Sequence, residues 1–115
     1  MLLVQVARYP ETWMFVGGRA KDADPSFAHT AAREVCEEAG LLLPLARFVP
    51  VLTLRGDFED VTWVHFYRAT LTADEKADLA FHKHEILRHC WVPRTAATGL
   101  PMYRAMRTYI DRARS

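Results

Sequence analysis

An α/β sandwich, with a β-sheet held between helices, is the architecture that this 115-residue sequence predicts. Short runs rich in Val, Leu, Phe and Trp are interrupted by one amphipathic segment near residues 24–40 that has a clear start and stop. A later run, Val61 to Thr70, carries bulky residues on both faces, as a strand covered from two sides does. The length suits one compact domain spanning 1–115, with one core and one site.

Leu2 to Ala7 and Thr12 to Val16 read as strands, joined by Arg8-Tyr9-Pro10-Glu11, where the proline favours a turn. Gly17-Gly18 closes the second run, and the polar stretch Arg19 to Asp24 lacks a periodic apolar pattern, so it reads as a loop. Asp24-Pro25 has the form of a helix start: Asp accepts from free first-turn amides, and Pro gives up an N–H that had no partner. Ala28, Ala31, Ala32, Val35 and Ala39 recur three and four apart, and Gly40 stands where a left-handed terminating residue is wanted, so the helix ends near Ala39. Leu45 to Arg55 and Val61 to Thr70 are the next strands, connected by the polar Gly56-Asp57-Phe58-Glu59-Asp60. Thr72-Ala73-Asp74-Glu75 resembles a capping box opening a short helix toward Phe81, and Ile86 to Val92 reads as a strand. From Pro101 onward, Met102, Met106, Tyr109 and Ile110 fall on one side of an amphipathic helix.

Half the residues are hydrophobic and a quarter charged, which fits a folded globular chain and excludes a disordered tail or a membrane span. With 15 basic and 14 acidic residues the net charge is +1, so no bulk field recruits nucleic acid or an anionic membrane. Cys36 and Cys90 form neither a CxxC pair nor a zinc spacing, and a reducing cytoplasm is the expected setting. The apolar start lacks the basic leader and cleavage site of a signal peptide.

Chemistry concentrates in Arg33-Glu34-Val35-Cys36-Glu37-Glu38-Ala39-Gly40-Leu41. Glu34 and Glu38 share a helix face with Glu37 beside them. Such neighbours repel by roughly 0.2–0.5 kcal/mol per exposed pair, and by more as water is excluded. A hard divalent cation compensates them best; oxygen-only ligands suit Mg²⁺ or Mn²⁺, which keep positions open for water and phosphate oxygens. A bare cluster of this kind is more often a solvated acidic face, with Arg33 and Glu37 paired at helical spacing.

The whole stretch, however, resembles the second half of the Nudix box, R-E-U-x-E-E-x-G-U with U a bulky aliphatic residue, and fits it at every position. Typical residue frequencies produce such a match about once in a million starting positions or fewer. Trp13-Met14-Phe15-Val16 followed by Gly17-Gly18 agrees with the upstream half in outline, and His84-Glu85-Ile86 before Trp91-Val92-Pro93 looks like the family's glutamate-before-strand segment. The resemblance implies an α/β/α sandwich around a mixed sheet, and an enzyme that hydrolyses a nucleoside diphosphate linked to a moiety X using Mg²⁺, with Mn²⁺ as a substitute. It implies that Glu34, Glu37, Glu38 and the Gly18 carbonyl hold the metal, that Arg33 orients a glutamate, and that the general base is Glu34 or Glu85.

Three features depart from the family pattern. Val16 replaces the usual proline before the glycine pair. The loop and helix start are one residue longer, with Asp24 the nearest substitute for the box's upstream glutamate; this spacing is similar to members acting on coenzyme A, although Leu2 to Ala7 lacks the threonine and arginine those members carry upstream. With Met1 as the start, the strand that usually precedes the Leu2 strand is missing, so its neighbours are expected to present an unpaired edge. A homodimer covering that edge, or a coding start further upstream, would resolve it.

Other residues read more plainly. The His82/His84 pair falls short of a metal site, Cys36 reads as a helix cysteine without a base, and Trp13, Trp63 and Tyr67 could stack on a base but read more readily as strand packing. The partner implied is a small nucleotide, with neither nucleic acid nor membrane. The competing reading is a catalytically silent Nudix-like domain that binds a nucleotide or a protein.

Overall fold

A computed structural model describes residues 1–56, 61–97 and 99–112. Along the chain run β1 (Leu2–Val6), β2 (Tyr9–Met14), α1 (Phe27–Ala39), a single 3₁₀ turn (Leu45–Arg47), β3 (Val49–Arg55), β4 (Trp63–Arg68), α2 (Ala73–Ala77), β5 (Ile86–Trp91), α3 (Arg94–Ala97) and α4 (Arg104–Arg112). The α/β architecture is the expected one. In detail the strands form two sheets, ordered β2-β1-β5 and β3-β4, and the pairings among the described residues are antiparallel where a mixed sheet was expected.

β1 is the middle strand of its sheet. Leu2 to Gln5 face Trp91 to Arg88 of β5 on one side, and Val4 and Val6 face Met14 and Tyr9 of β2 on the other. The apolar run therefore has no open flank of its own, and Leu3 and Val4, on opposite faces, are both fully buried. β2 starts earlier than the proline suggests, and the expected four-residue connection shrinks to a turn at residues 7–8. Pro10 is tolerated because β2 is an outer strand, where a missing N–H costs little. Part of that outer flank is covered, since the Trp13 N–H donates to the Pro101 carbonyl at 2.9 Å.

α1 begins two residues later than Asp24-Pro25 implies. Ser26, in extended conformation, caps it by accepting from the His29 N–H at 3.2 Å, because the Asp24 carboxylate is engaged elsewhere. The stop is as expected: Gly40 adopts φ 71°, and its N–H reaches the Cys36 carbonyl at 3.1 Å. A side chain at Gly40 would meet the Ala80 carbonyl at 2.8 Å as well as a strained backbone.

The expected strand at Leu45 begins instead as the 3₁₀ turn, with β3 following. Asp57–Asp60 of the expected connection lie outside the described residues; Gly56 N–H to Thr62 O at 2.9 Å closes the hairpin. On β4, Phe66 is buried and Tyr67, on the opposite face, joins the cluster of Leu41, Leu43 and Phe48 beneath α1, so both faces are used; Trp63 at the strand's start is 54% exposed. α2 carries the capping box, with Thr72 and Glu75 each bonded to the other's backbone, but ends well short of Phe81. Arg47 grips both Glu75 oxygens, at 2.9 and 2.6 Å, and fixes α2 to the turn before β3. α4 buries Ala105 and Ile110; Tyr109 stacks on Phe66, while Ile110 packs with Leu3 and Ala97. Among the described residues, no helix is long and apolar enough to cross a membrane.

Two backbone bonds tie the end of α1 to the segment that leads into β5. The Ala80 N–H donates to the Ala39 carbonyl at 3.0 Å, and the His82 N–H donates to the Glu38 carbonyl at 2.9 Å. Both carbonyls belong to the last turn of α1, which has no helical partners of its own. A segment far downstream in sequence thus caps α1, and the chain then turns through Glu85 into β5.

Candidate active site

A cavity of about 1130 Å³ is lined from both sheets, α1 and α4. One stripe of α1, running Phe27, Thr30, Glu34 and Glu38, forms a wall of it at helical spacing, and Gly17, Gly18 and Glu85 line the same space.

Glu38 is only 6% exposed. Its Oε1 accepts from the Gly17 N–H at 3.2 Å, so the glycine pair that ends the β2 run steers a carboxylate of α1. Burial, reinforced by the negative charges of Glu34 and Glu85, pushes the Glu38 carboxyl up to about 8 against the pull of the Gly17 N–H. Glu34 lies over Gly18: a Cβ added there would stand 2.8 Å from Glu34 Oε2 and nearer still to Oε1. The absence of a side chain at Gly18 is what lets backbone and carboxylate approach so closely.

Arg33 organises the flank. Its Nε and Nη2 hold both Asp24 oxygens at 3.1 and 3.0 Å, Nη1 donates to Glu34 Oε1 at 2.9 Å and to Glu37 Oε2 at 3.2 Å, and Nη2 also reaches the Arg19 carbonyl at 3.1 Å. Asp24 further accepts from Thr30 Oγ1 and the Lys21 N–H, both at 2.9 Å. The hydrogen bonds from Arg33 hold the Asp24 carboxyl well below the usual carboxylate range, and Asp24 in turn raises the Arg33 guanidinium. The longer loop is therefore fastened to α1 by an ion pair and not by a helix cap.

Of the residues singled out in the sequence, Gly18, Glu34, Glu38 and Glu85 face one cavity, and Arg33 stands behind them. Glu37 does not line that cavity; its side chain is 50% exposed and turned to Arg33. His82 and His84 have ring centroids 5.8 Å apart, Cys36 is exposed, and Trp13 packs against the Leu3 cluster. Sequence reasoning missed the part of Gly17 as a donor and of Phe27 and His65 as lining residues. The Gly17-Gly18 pair signalled the first, whereas the other two depend on how α1 meets β4.

Among the described residues, no three His, Cys, Asp or Glu side chains already converge as a finished metal site. The donor chemistry nevertheless fits a hard divalent cation: Glu34 and Glu38 approach a side-chain-free backbone, and Glu38 resists ionisation because it is buried and because the charges of Glu34 and Glu85 are of its own sign.

The NUDIX domain family model matches residues 1–113. Among solved structures, a C. elegans Ap4A hydrolase in a binary complex is similar at TM-score 0.75 and 22% identity, over 96% of this chain and 80% of that one. The E. coli dihydroneopterin triphosphate pyrophosphohydrolase is similar at TM-score 0.67 and 20% identity, over 96% and 82%.

Proposed function

The chain belongs to the Nudix family, and from that premise we propose that it is a divalent-metal-dependent hydrolase that cleaves the pyrophosphate linkage of a nucleoside diphosphate joined to a moiety X. The observation that carries this reading is that Glu34, Glu38 and Glu85 line one cavity with the Gly17-Gly18 pair, with Glu38 buried and facing like charges. Glu34, Glu37, Glu38 and the Gly18 carbonyl are the groups that would hold Mg²⁺ or Mn²⁺. Held there, such ions would neutralise pyrophosphate oxygens and lower the pKa of a bound water.

The protein's own contribution is positioning. The Gly17 N–H fixes Glu38, and the Arg33 fork fixes Glu34 at 2.9 Å, so neither carboxylate has to be ordered when substrate arrives. Arg33 is itself held from behind by Asp24, which leaves its Nη1 aimed at the glutamates. Glu34 and Glu85 are the two candidate bases: Glu34 is anchored in the helix face, and Glu85 is exposed on the opposing turn, close enough to bear on Glu38.

The test is release of phosphate or nucleoside monophosphate from a panel in Mg²⁺ and in EDTA. The panel holds nucleotide sugars, ADP-ribose, coenzyme A, nucleoside triphosphates, and the two compounds named for the structural relatives, Ap4A and dihydroneopterin triphosphate. Metal-dependent turnover of at least one compound is expected. Binding without turnover across the panel would move the chain to the silent-domain reading.

A further inference from the structure

At the far end of the glutamate-bearing stripe of α1 stands Phe27, the first helical residue, whose ring stacks on His65 of β4 with centroids 3.9 Å apart and planes 17° from parallel. His65 is held in turn by Thr53, its cross-strand partner, through an Oγ1 to Nδ1 contact of 3.0 Å. Both rings line the cavity that Glu34 and Glu38 line. The pair is not enclosed between α1 and β4, since Phe27 is 49% exposed. A half-exposed aromatic ring whose orientation is fixed by stacking, beside an anion-handling site, suits a flat π system.

The geometry points to Phe27 and His65 as the platform on which the nucleobase of the substrate stacks. This rests on the nucleotide-hydrolase reading above and adds which part of the substrate is recognised, and where. The helix supplies the ruler: seven residues at 1.5 Å each place Glu34 about 10 Å along the axis from Phe27. That matches the reach of an extended nucleotide from its base to its second phosphate. Lys21 lines the wall beside Phe27 and Thr30, on the path the first phosphate and the ribose would take. Because every base presents a π face, the platform selects for the presence of a base more than for its identity.

The experiment compares binding of AMP and of ribose 5-phosphate, which lacks the base, by titration calorimetry with Mg²⁺ present. Wild type, Phe27→Leu, Phe27→Tyr and His65→Gln are used, each checked by thermal melting. Stacking on an aromatic residue predicts that wild type prefers AMP by about five- to hundredfold. Phe27→Leu abolishes that preference and Phe27→Tyr keeps it. Should Phe27→Leu fail to fold, His65→Gln, which can retain the Thr53 contact, carries the test and is expected to reduce the preference. Equal binding of the two compounds by wild type, or an undiminished preference in the folded Phe27→Leu or His65→Gln variants, overturns the platform. A Phe27-dependent preference without hydrolysis of any panel compound would leave the platform standing and remove the hydrolase reading. Glu38-dependent hydrolysis without base preference would do the reverse.

Discussion

Replacing Glu38 with Gln should stabilise the metal-free protein while disabling the enzyme. Glutamine keeps the amide oxygen that the Gly17 N–H can reach and removes the charge that Glu34 and Glu85 oppose. The sign follows from proton uptake: with a folded-state pKa near 8 against an ordinary 4.5, the folded wild type holds a proton that the unfolded chain releases between those pH values. Wild-type stability therefore declines as pH rises from about 4.5 to about 8 and then levels off, whereas the glutamine variant lacks this slope. At about 1.4 kcal/mol per tenfold change in proton affinity the ceiling is roughly 5 kcal/mol; relaxation of the surroundings of a charged carboxylate lowers it, so about 1–3 kcal/mol is expected. Urea unfolding in EDTA at pH 5, 7 and 9 measures this, with the two proteins close together at pH 5 and the variant ahead at pH 9. Turnover in Mg²⁺ should fall about a hundredfold, the size of a lost electrostatic contribution. A gap that stays constant across pH, or a variant that is less stable at pH 9, would refute the account of Glu38 as a carboxyl held protonated by burial and by its neighbours' charge.

Gly18→Ala sets a methyl 2.8 Å from Glu34 Oε2, so kcat should drop by about a hundredfold with the melting temperature nearly unchanged; a fully active variant would show that Glu34 can leave Gly18 without consequence. Glu37→Gln is expected to cost about a hundredfold in turnover if that residue moves from Arg33 to the metal, and an unchanged rate would leave it only an Arg33 partner. Glu85→Gln separates the two candidate bases: a large loss of maximal rate assigns the base to the turn before β5, and a near-neutral effect leaves Glu34. Asp24→Asn should lower the melting temperature at pH 7; because the folded carboxyl titrates below its unfolded value of 3.8, that deficit should persist down to about pH 4 and shrink only below it.

Much of the site could be read from the sequence because it is local. Glu34, Glu38, Arg33 and Gly40 lie within one helix and its stop, where a 3.6-residue period fixes which side chains share a face. Non-local matters were harder to read. Asp24 has the composition of a cap, and only the approach of Arg33 from nine residues away withdraws it from that task and passes the cap to Ser26. Pro10 argues for a turn until the strand order makes β2 an outer strand. The apolar run at Leu2 suggests an exposed edge until β5, from the other end of the chain, pairs along it. Phe27 and His65 carry no pattern of their own, since nothing in the order of residues announces that a helix start and a distant strand will bring two rings together.

The capping of α1 by the Ala80 and His82 amides has a consequence for how this fold can vary. Residues 41–79 leave the helix at Gly40 and return to its last turn, but they carry β3, β4 and the buried Leu41, Leu43, Phe48 and Phe66, so only a length change confined to an exposed connection between those elements costs no more than the slow, logarithmic entropy of a larger loop. A single residue inserted between His82 and Glu85 is different, because it moves one carboxylate relative to the amide that locates it. Grafting or lengthening surface segments to alter what the protein accepts is therefore best directed at those exposed connections, and the segment from His82 to Glu85 should be left at its present length.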